Sequence, residues 1–346
     1  MDEASQKPPR RKRYSGPNPR NFLDKYKEHQ PEAYPSDITK IINSGKTPAG
    51  MHRPIMVQEI LDGLALLPGN VVVDCTLGYG GHARELLAAV QPGGRLLGVD
   101  SDPIELPKTE ARLRLLGAPD ESIVLRKMNF SGVAQFLSVE APDGVDALMA
   151  DLGVSSMQYD DPLRGFSFKA DGPLDMRMNP ARGLSASDLL STLDNDQLMT
   201  MLTDNSDEPN AERIAKVILV AHSKNKLTTT LALAGVVRSA IHGQSSAQSD
   251  LAIRRVFQAI RIAVNEEFRS LDMFLKQLPY VMKKGGRISI LSFHSGEDRR
   301  VKSAFKQGFQ SGLYTSISQD VARPTAQEIN ANSRASSAKL RSATRS

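Results

Sequence analysis

A strand, a glycine-rich turn and a helix-compatible run follow one another between residues 71 and 90, and they constrain the fold more than any other segment. Three valines lead into Asp74, as expected for a buried strand. The glycines from Gly78 to Gly81 allow a sharp turn and let a ligand approach the amides at the helix start. A second apolar strand ends at Asp100, about 20 residues further on, where a βαβ nucleotide site places an acceptor for ribose hydroxyls. The segment therefore predicts a βαβ unit that binds an adenosine-containing ligand.

Two ligand classes fit this unit. Gly78, Gly80 and Ala83 satisfy the permissive dinucleotide fingerprint, so a nicotinamide or flavin cofactor is one candidate. The other is S-adenosylmethionine, which has an adenosine but no pyrophosphate and carries a cationic sulfonium. A carboxylate such as Asp74 repels a pyrophosphate and attracts a sulfonium, so Asp74 favours S-adenosylmethionine. A nicotinamide-dependent oxidoreductase remains the alternative.

In the rest of the chain, apolar residues alternate between strand-like runs and helix-like spacing. This pattern predicts an α/β fold with a mostly parallel, doubly wound sheet and its ligand at the carboxyl ends of the strands. Further strands are expected at 122–128, 145–151 and 287–294, and two final ones near 313–317 and 338–343. Residues 152–177 read as a long loop, 184–250 as an all-helical insertion, and 254–280 as one amphipathic helix. We therefore expect a flexible basic extension over 1–50, a catalytic domain over 51–160 and 251–346, and an insertion domain over 161–250.

Composition narrows the classes of function. A net charge of +5 is compatible with a nucleic-acid partner. The single cysteine excludes a disulfide framework and indicates a reducing cytoplasm. An apolar run long enough to cross a membrane is absent, and the six histidines are scattered without the paired spacing of a metal site. The sequence thus predicts a cytoplasmic protein without a metal.

Several side chains stand at positions where chemistry is expected. Asp151 ends the predicted central strand, and His294 ends the predicted fifth strand near the cleft. His82 follows two glycines at a helix start, which favours a ligand contact. Four arginines are candidates for phosphate contacts, although exposed arginines are common: Arg164, Arg177, Arg254 and Arg261.

Six motifs occur in order and together resemble the bacterial family of small-subunit ribosomal RNA cytosine-N4 methyltransferases. They begin at Asp74, Asp151, Arg164, Asp171, Phe257 and Ser292, and read DCTLGYGGH, DLGVSSMQ, RGFSF, DGPLDMRM, FQAIRIAVN and SFHS. The resemblance implies a class I methyltransferase fold with a helical insertion, and methyl transfer from S-adenosylmethionine to a cytidine amine of the small ribosomal subunit. It also implies these cofactor contacts: Gly80, Gly81, His82, Asp100, Phe130, Asp151 and Gln158.

The chemistry of the acceptor indicates a role for Asp151. The lone pair of a cytosine N4 amine is delocalised into the ring, so an acceptor aimed at one N–H would localise the pair and receive the proton. Asp151 is our candidate for that acceptor, and a contact to the cofactor alone is the competing role. Two further alternatives are a methyltransferase with a different acceptor and an RNA-binding assembly factor without turnover.

Overall fold

The computed structural model describes residues 54–346, so the predicted basic extension over residues 1–50 lies outside the described residues. Seven strands form one sheet in the order β3-β2-β1-β4-β5-β7-β6. Strands β1 to β5 are parallel, and β7 runs antiparallel to both of its neighbours. This arrangement confirms the predicted mostly parallel α/β sheet. The strands are β1 (Val71–Asp74), β2 (Arg95–Asp100), β3 (Ile123–Lys127), β4 (Val145–Asp151), β5 (Met282–Ser292), β6 (Tyr314–Ile317) and β7 (Lys339–Arg345).

Helices cover both faces of the sheet. Alternate residues of each central strand point to opposite faces, so Val72 and Leu96 join one core whereas Val73 and Leu97 join the other. The first face is covered by α1 (Val57–Leu64), α2 (Gly81–Val90) and α3 (Leu106–Arg114). The second is covered by α4 (Val133–Glu140), α11 (Glu267–Val281) and α12 (Ser295–Gln310). A short helix, α13 (Ala326–Ala331), precedes β7, and no helix of residues 54–346 is long and apolar enough to cross a bilayer.

The helical insertion has a hydrophobic core of its own. It contains α6 (Ala186–Leu190), α7 (Asn195–Ser206), α8 (Ala211–Lys224), α9 (Thr230–Ala240) and α10 (Ser246–Val264). The buried residues of this core continue along α10 as far as Ile260. The core therefore extends beyond residue 250, where the sequence suggested that the insertion ends.

Two predictions of local structure are wrong. The single helix predicted over 254–280 is two helices, because Glu266 adopts a left-handed conformation with φ of 48° between α10 and α11. The loop predicted over 152–177 contains α5 (Ser156–Asp160) and a 3₁₀ turn (Pro162–Arg164). Ser155 closes the first turn of α5 in a capping box with Gln158, which gives this short helix a defined start.

Candidate active site

A cleft of about 640 Å³ lies at the carboxyl ends of β1, β2 and β4. Parallel strands end at the same edge of a sheet, so residues far apart in sequence meet there. Its far wall comes from α10, the start of α11 and the segment before β7. The cleft brings together nine of the twelve residues selected from the sequence: Gly81, His82, Asp100, Phe130, Asp151, Gln158, Arg254, Arg261 and His294. Gly80, Arg164 and Arg177 do not line it.

The glycine turn is held between β2 and α3. The Gly78 amide donates to Asp100 Oδ2 at 2.7 Å, and the Gly78 carbonyl accepts from Thr109 Oγ1 at 2.6 Å. Gly80 has φ of +86°, and a Cβ there would lie 2.8 Å from the Thr109 methyl group. The Gly80 position therefore excludes a side chain for reasons of backbone conformation and packing.

Asp100 is partly buried and lines the cleft. Its Oδ1 accepts from the Asp102 amide at 2.8 Å, and its Oδ2 from the Gly78 amide. Burial raises the pKa of Asp100, and these two amide hydrogen bonds oppose the effect. Two amides use about half of the acceptor sites of a carboxylate, so Asp100 can accept further hydrogen bonds from a ligand.

Asp151 and His82 face each other across the floor of the cleft. His82 Nε2 lies 2.9 Å from the Ile55 carbonyl oxygen, and Nδ1 lies 3.5 Å from Asp151 Oδ2. The other carboxylate oxygen, Oδ1, is buried and has no hydrogen-bond partner among the described residues. Burial raises the pKa of Asp151 to about 7, and the negative charge of Glu297 adds to this shift. Because Oδ1 is buried and the side chain as a whole is 29% exposed, Oδ2 is the oxygen that a ligand in the cleft can reach.

Asp74 ends β1 as predicted but lies beneath the cleft. It is 1% exposed, is not among the residues that line the cleft, and accepts from the Thr76 amide at 3.0 Å. Burial raises its pKa to about 6, whereas the nearby His82 opposes that shift. Its carboxylate is therefore separated from the cleft by neighbouring residues, and its effect on a bound sulfonium stays a prediction.

Gln158 and Arg164 belong to one buried network. Gln158 Nε2 donates to Asp102 Oδ2 at 2.7 Å, and Arg164 Nη1 donates to the same oxygen at 3.0 Å. Arg164 Nη2 donates to the carbonyl oxygens of Arg177 and Met178, at 3.1 and 2.8 Å. With only 11% of its side chain exposed, Arg164 ties the loop between β4 and α6 to the end of β2.

The other three arginines selected from the sequence differ in whether they form an ion pair and whether they line the cleft. Arg177 forms a two-pronged ion pair with Asp175, with contacts of 2.9 and 2.6 Å, outside the cleft. Arg261 is 16% exposed and pairs in the same manner with Glu267, at 2.8 and 2.9 Å. Arg254 is exposed on α10 and lines the cleft. Of these three, Arg254 is thus the best placed to reach a phosphate.

His294 contributes to a polar cluster with Glu267 and Glu297, whose ligand-type atoms all lie within 4.8 Å of one another. His294 caps α12 by accepting from the Glu297 amide at 3.4 Å, and its Nε2 lies 3.2 Å from Glu297 Oε1. Burial alone would raise the pKa of Glu297, but His294 and Arg261 hold it below its usual value. Arg261 neutralises Glu267, so contacts within the protein account for this cluster without a metal ion.

The sequence missed a group of residues at the mouth of the cleft. Tyr159, at the end of α5, has the Arg334 guanidinium 5.2 Å and the Lys169 ammonium 6.0 Å from its ring centroid. Arg334 also forms an ion pair with Asp160, which holds the segment before β7 against α5. Tyr159 directly follows the motif that ends at Gln158, but its contact with Arg334, 175 positions later, depends on long-range folding that no local pattern reveals.

The sequence model of the MraW methylase family matches residues 49–346 of the chain. The chain is 46% identical over 346 residues to ribosomal RNA small subunit methyltransferase H 2 of Alkaliphilus metalliredigens, covering 99% of each protein. It is 47% identical over 337 residues to methyltransferase H 1 of Lachnoclostridium phytofermentans, covering 96% of this chain and 92% of the relative. The corresponding protein of Agathobacter rectalis is 45% identical over 341 residues, with 97% of each covered.

Proposed function

We infer, because this chain belongs to the MraW methylase family, that it is a methyltransferase of small-subunit ribosomal RNA. It transfers the methyl group of S-adenosylmethionine to the N4 amine of a cytidine. The observation that carries this conclusion is the shared cleft of Asp100 and Asp151, in a chain 45–47% identical to three proteins named for that RNA. A ribosomal substrate places the reaction in the cytoplasm.

The residues at the floor of the cleft fit S-adenosylmethionine. When bound, this group supplies an electrophilic methyl on a cationic sulfur. Gly78 lines the cleft, and the nearest atom to a Cβ placed there is 3.8 Å away, so the glycine turn leaves room for a ligand against the backbone. Asp100 offers acceptor sites to the ribose hydroxyls. Phe130 lines the cleft and packs edge-on against Phe274, with ring centroids 5.1 Å apart, so it is suited to contact an adenine ring. The volume lies within the range usual for ligand sites.

Asp151 acts on the acceptor nitrogen in this proposal. Its Oδ2 atom, on a side chain that is 29% exposed, accepts a hydrogen bond from the cytidine amine, which localises the nitrogen lone pair and orients it for attack. The same carboxylate then receives the proton that the methylated amine releases. A pKa near 7 suits this role, because the group is substantially ionised at neutral pH and still basic enough to bind a proton.

Four of the remaining selected residues divide into two kinds. Gln158, Arg164 and Arg261 position the cleft walls, since each is held by a buried or paired partner. Arg254 and the group around Tyr159 form the mouth, where cations and an aromatic ring face an incoming RNA strand. We assign RNA contact to this mouth and to the helical unit that carries α10.

A labelling experiment tests the proposal. Small ribosomal subunits that lack N4-methylcytidine are incubated with the protein and methyl-labelled S-adenosylmethionine, and the rRNA is digested to nucleosides. We expect label in N4-methylcytidine. Label in another nucleoside or in ribosomal protein would mean that the enzyme methylates a different acceptor. Tight subunit binding without label would indicate an assembly factor, and binding of NAD in place of S-adenosylmethionine in calorimetry would indicate an oxidoreductase.

A further inference from the structure

The hydrogen bond from His82 to Ile55 fixes which ring nitrogen carries a proton. The Ile55 oxygen is a carbonyl and can only accept, so Nε2, 2.9 Å away, is the donor. His82 is 8% exposed in the first turn of α2. In the neutral ring, Nδ1 then has a free lone pair, and this lone pair faces Asp151 Oδ2 at 3.5 Å.

This arrangement makes the interaction depend on the proton of Asp151. When Asp151 is ionised, two lone pairs face each other and the contact provides no hydrogen bond. When Asp151 is protonated, its O–H can donate to Nδ1. A hydrogen bond that exists only in the protonated form increases the affinity of the carboxylate for a proton.

The surrounding charges favour the same outcome. Glu297, from α12, faces Asp151 and disfavours its ionised form, and Asp74, from β1, lies close to both members of the pair. On the His82 side, burial lowers the pKa of the ring, which keeps the ring neutral, although Asp74, Glu85 and Glu328 oppose this shift. A neutral His82 is the state in which Nδ1 accepts.

We propose that His82 is a positioning residue for the methyl transfer, which accepts the O–H of Asp151 after Asp151 has taken the amine proton. The inference rests on the proposed function. In the reaction the new bond joins the methyl carbon to N4 and the carbon–sulfur bond breaks, its electron pair staying on sulfur. One N4 proton passes to Asp151 Oδ2, and the resulting O–H donates to His82 Nδ1, 3.5 Å away. His82 thereby makes Asp151 a stronger base without touching the cytidine.

Two substitutions separate this role from a structural one. His82→Gln places an amide where Nε2 lies, so it keeps a donor for the Ile55 carbonyl and removes the acceptor that faces Asp151. His82→Asn places its amide near the Nδ1 position, so it keeps an acceptor for Asp151 and loses the hydrogen bond to the Ile55 carbonyl. If His82 has only a structural role, His82→Gln should slow methyl transfer less than His82→Asn does. Our proposal predicts the opposite order.

The first measurement uses the free protein and does not require turnover. Nitrogen-15 spectra should show His82, assigned by its loss in the variants, as the neutral tautomer with Nε2 protonated. Carbon-13 carboxyl spectra should give an Asp151 midpoint that falls by about one pH unit in His82→Gln and less in His82→Asn. A proton on Nδ1 of the neutral ring, or an unchanged midpoint in His82→Gln, overturns the proposal.

The second measurement is the single-turnover rate on small subunits between pH 6 and pH 9, together with calorimetry of S-adenosylhomocysteine binding. We expect His82→Gln to be about tenfold slower than wild type at pH 8 with product affinity retained, and His82→Asn to be closer to wild type. A larger loss in His82→Asn than in His82→Gln contradicts the proposal. Failure of the wild type to methylate rRNA would instead refute the proposed function, because the spectra are independent of turnover.

Discussion

The carboxylate of Asp151 carries the clearest prediction at the level of single residues. Replacing it by asparagine keeps the shape of the side chain and removes the proton acceptor, so turnover should fall by about 100-fold or more. Affinity for S-adenosylhomocysteine, measured by calorimetry, should change much less. Equal losses in rate and affinity would mean that Asp151 contacts only the cofactor. Asp62→Asn, an exposed carboxylate on α1, serves as the control and should behave as wild type.

The same substitution should stabilise the fold in a pH-dependent manner. Folding raises the pKa of Asp151 to about 7, so its ionised form disfavours the folded state. This penalty is absent below pH 4 and grows as the pH rises through 7. We expect Asp151→Asn to increase the free energy of unfolding by about 1–3 kcal/mol at pH 8 and by little at pH 4. Urea unfolding at both pH values provides the measurement, and an equal gain at both would contradict the burial argument.

Three of the selected residues that line the cleft owe their place to the topology of the sheet. Asp100 and Asp151 end strands, and His82 begins a helix after a glycine turn, so parallel topology alone brings them to one edge of the sheet. Arg164 and Arg177 lack such a constraint. Whether an arginine reaches solvent or pairs with Asp102 or Asp175 depends on tertiary packing, which the local sequence does not encode.

Among the elements, the break between α10 and α11 shows where local pattern fails. The apolar spacing continues through residues 254–280, so periodicity predicts one helix. Asn265 instead bonds to a distant loop: its Oδ1 accepts from the Met178 amide at 2.7 Å, and its Nδ2 donates to the Met176 carbonyl at 2.8 Å. Contacts between residues almost 90 positions apart thus set the helix end, whereas the central strands β1, β2 and β4 could be predicted from their short, mainly apolar runs.

This account predicts the behaviour of two Asn265 variants. Asn265→Ala removes both loop contacts and should lower the free energy of unfolding by about 1–3 kcal/mol, with faster hydrogen exchange at the Met178 amide. Asn265→Asp keeps the acceptor for that amide and loses the donor to Met176, so it should retain more of the protection at Met178. Native-state exchange followed by mass spectrometry tests the difference. Identical exchange at Met178 in wild type and Asn265→Ala would show that the loop is held by other contacts.

On the scale of the whole molecule, the sheet, with a core on each face, and the separate core of the helical insertion meet at one cleft. The sheet core supplies the floor, with Asp100 and Asp151, and the helical core supplies the wall that carries Arg254. In the proposed function, this division gives the chemistry of the small ligand to the sheet and the contact with RNA to the helices. The sheet could be predicted from its strands, but the mouth could not, since it joins α5, α10 and the segment before β7, which are distant in sequence.

Arg254 allows the RNA-binding side of this division to be tested. An arginine that contacts a phosphate releases about one counterion on binding, so its loss should weaken binding and make the salt dependence shallower by about one in log–log slope. We expect Arg254→Ala to show both effects when the affinity for small ribosomal subunits is measured from 50 to 250 mM salt. Arg269→Ala is the matched control, because Arg269 is exposed on α11, pairs with Glu266 and does not line the cleft. If the two variants share the wild-type slope, RNA does not contact α10 at this position, and the assignment of the helical wall to RNA is wrong.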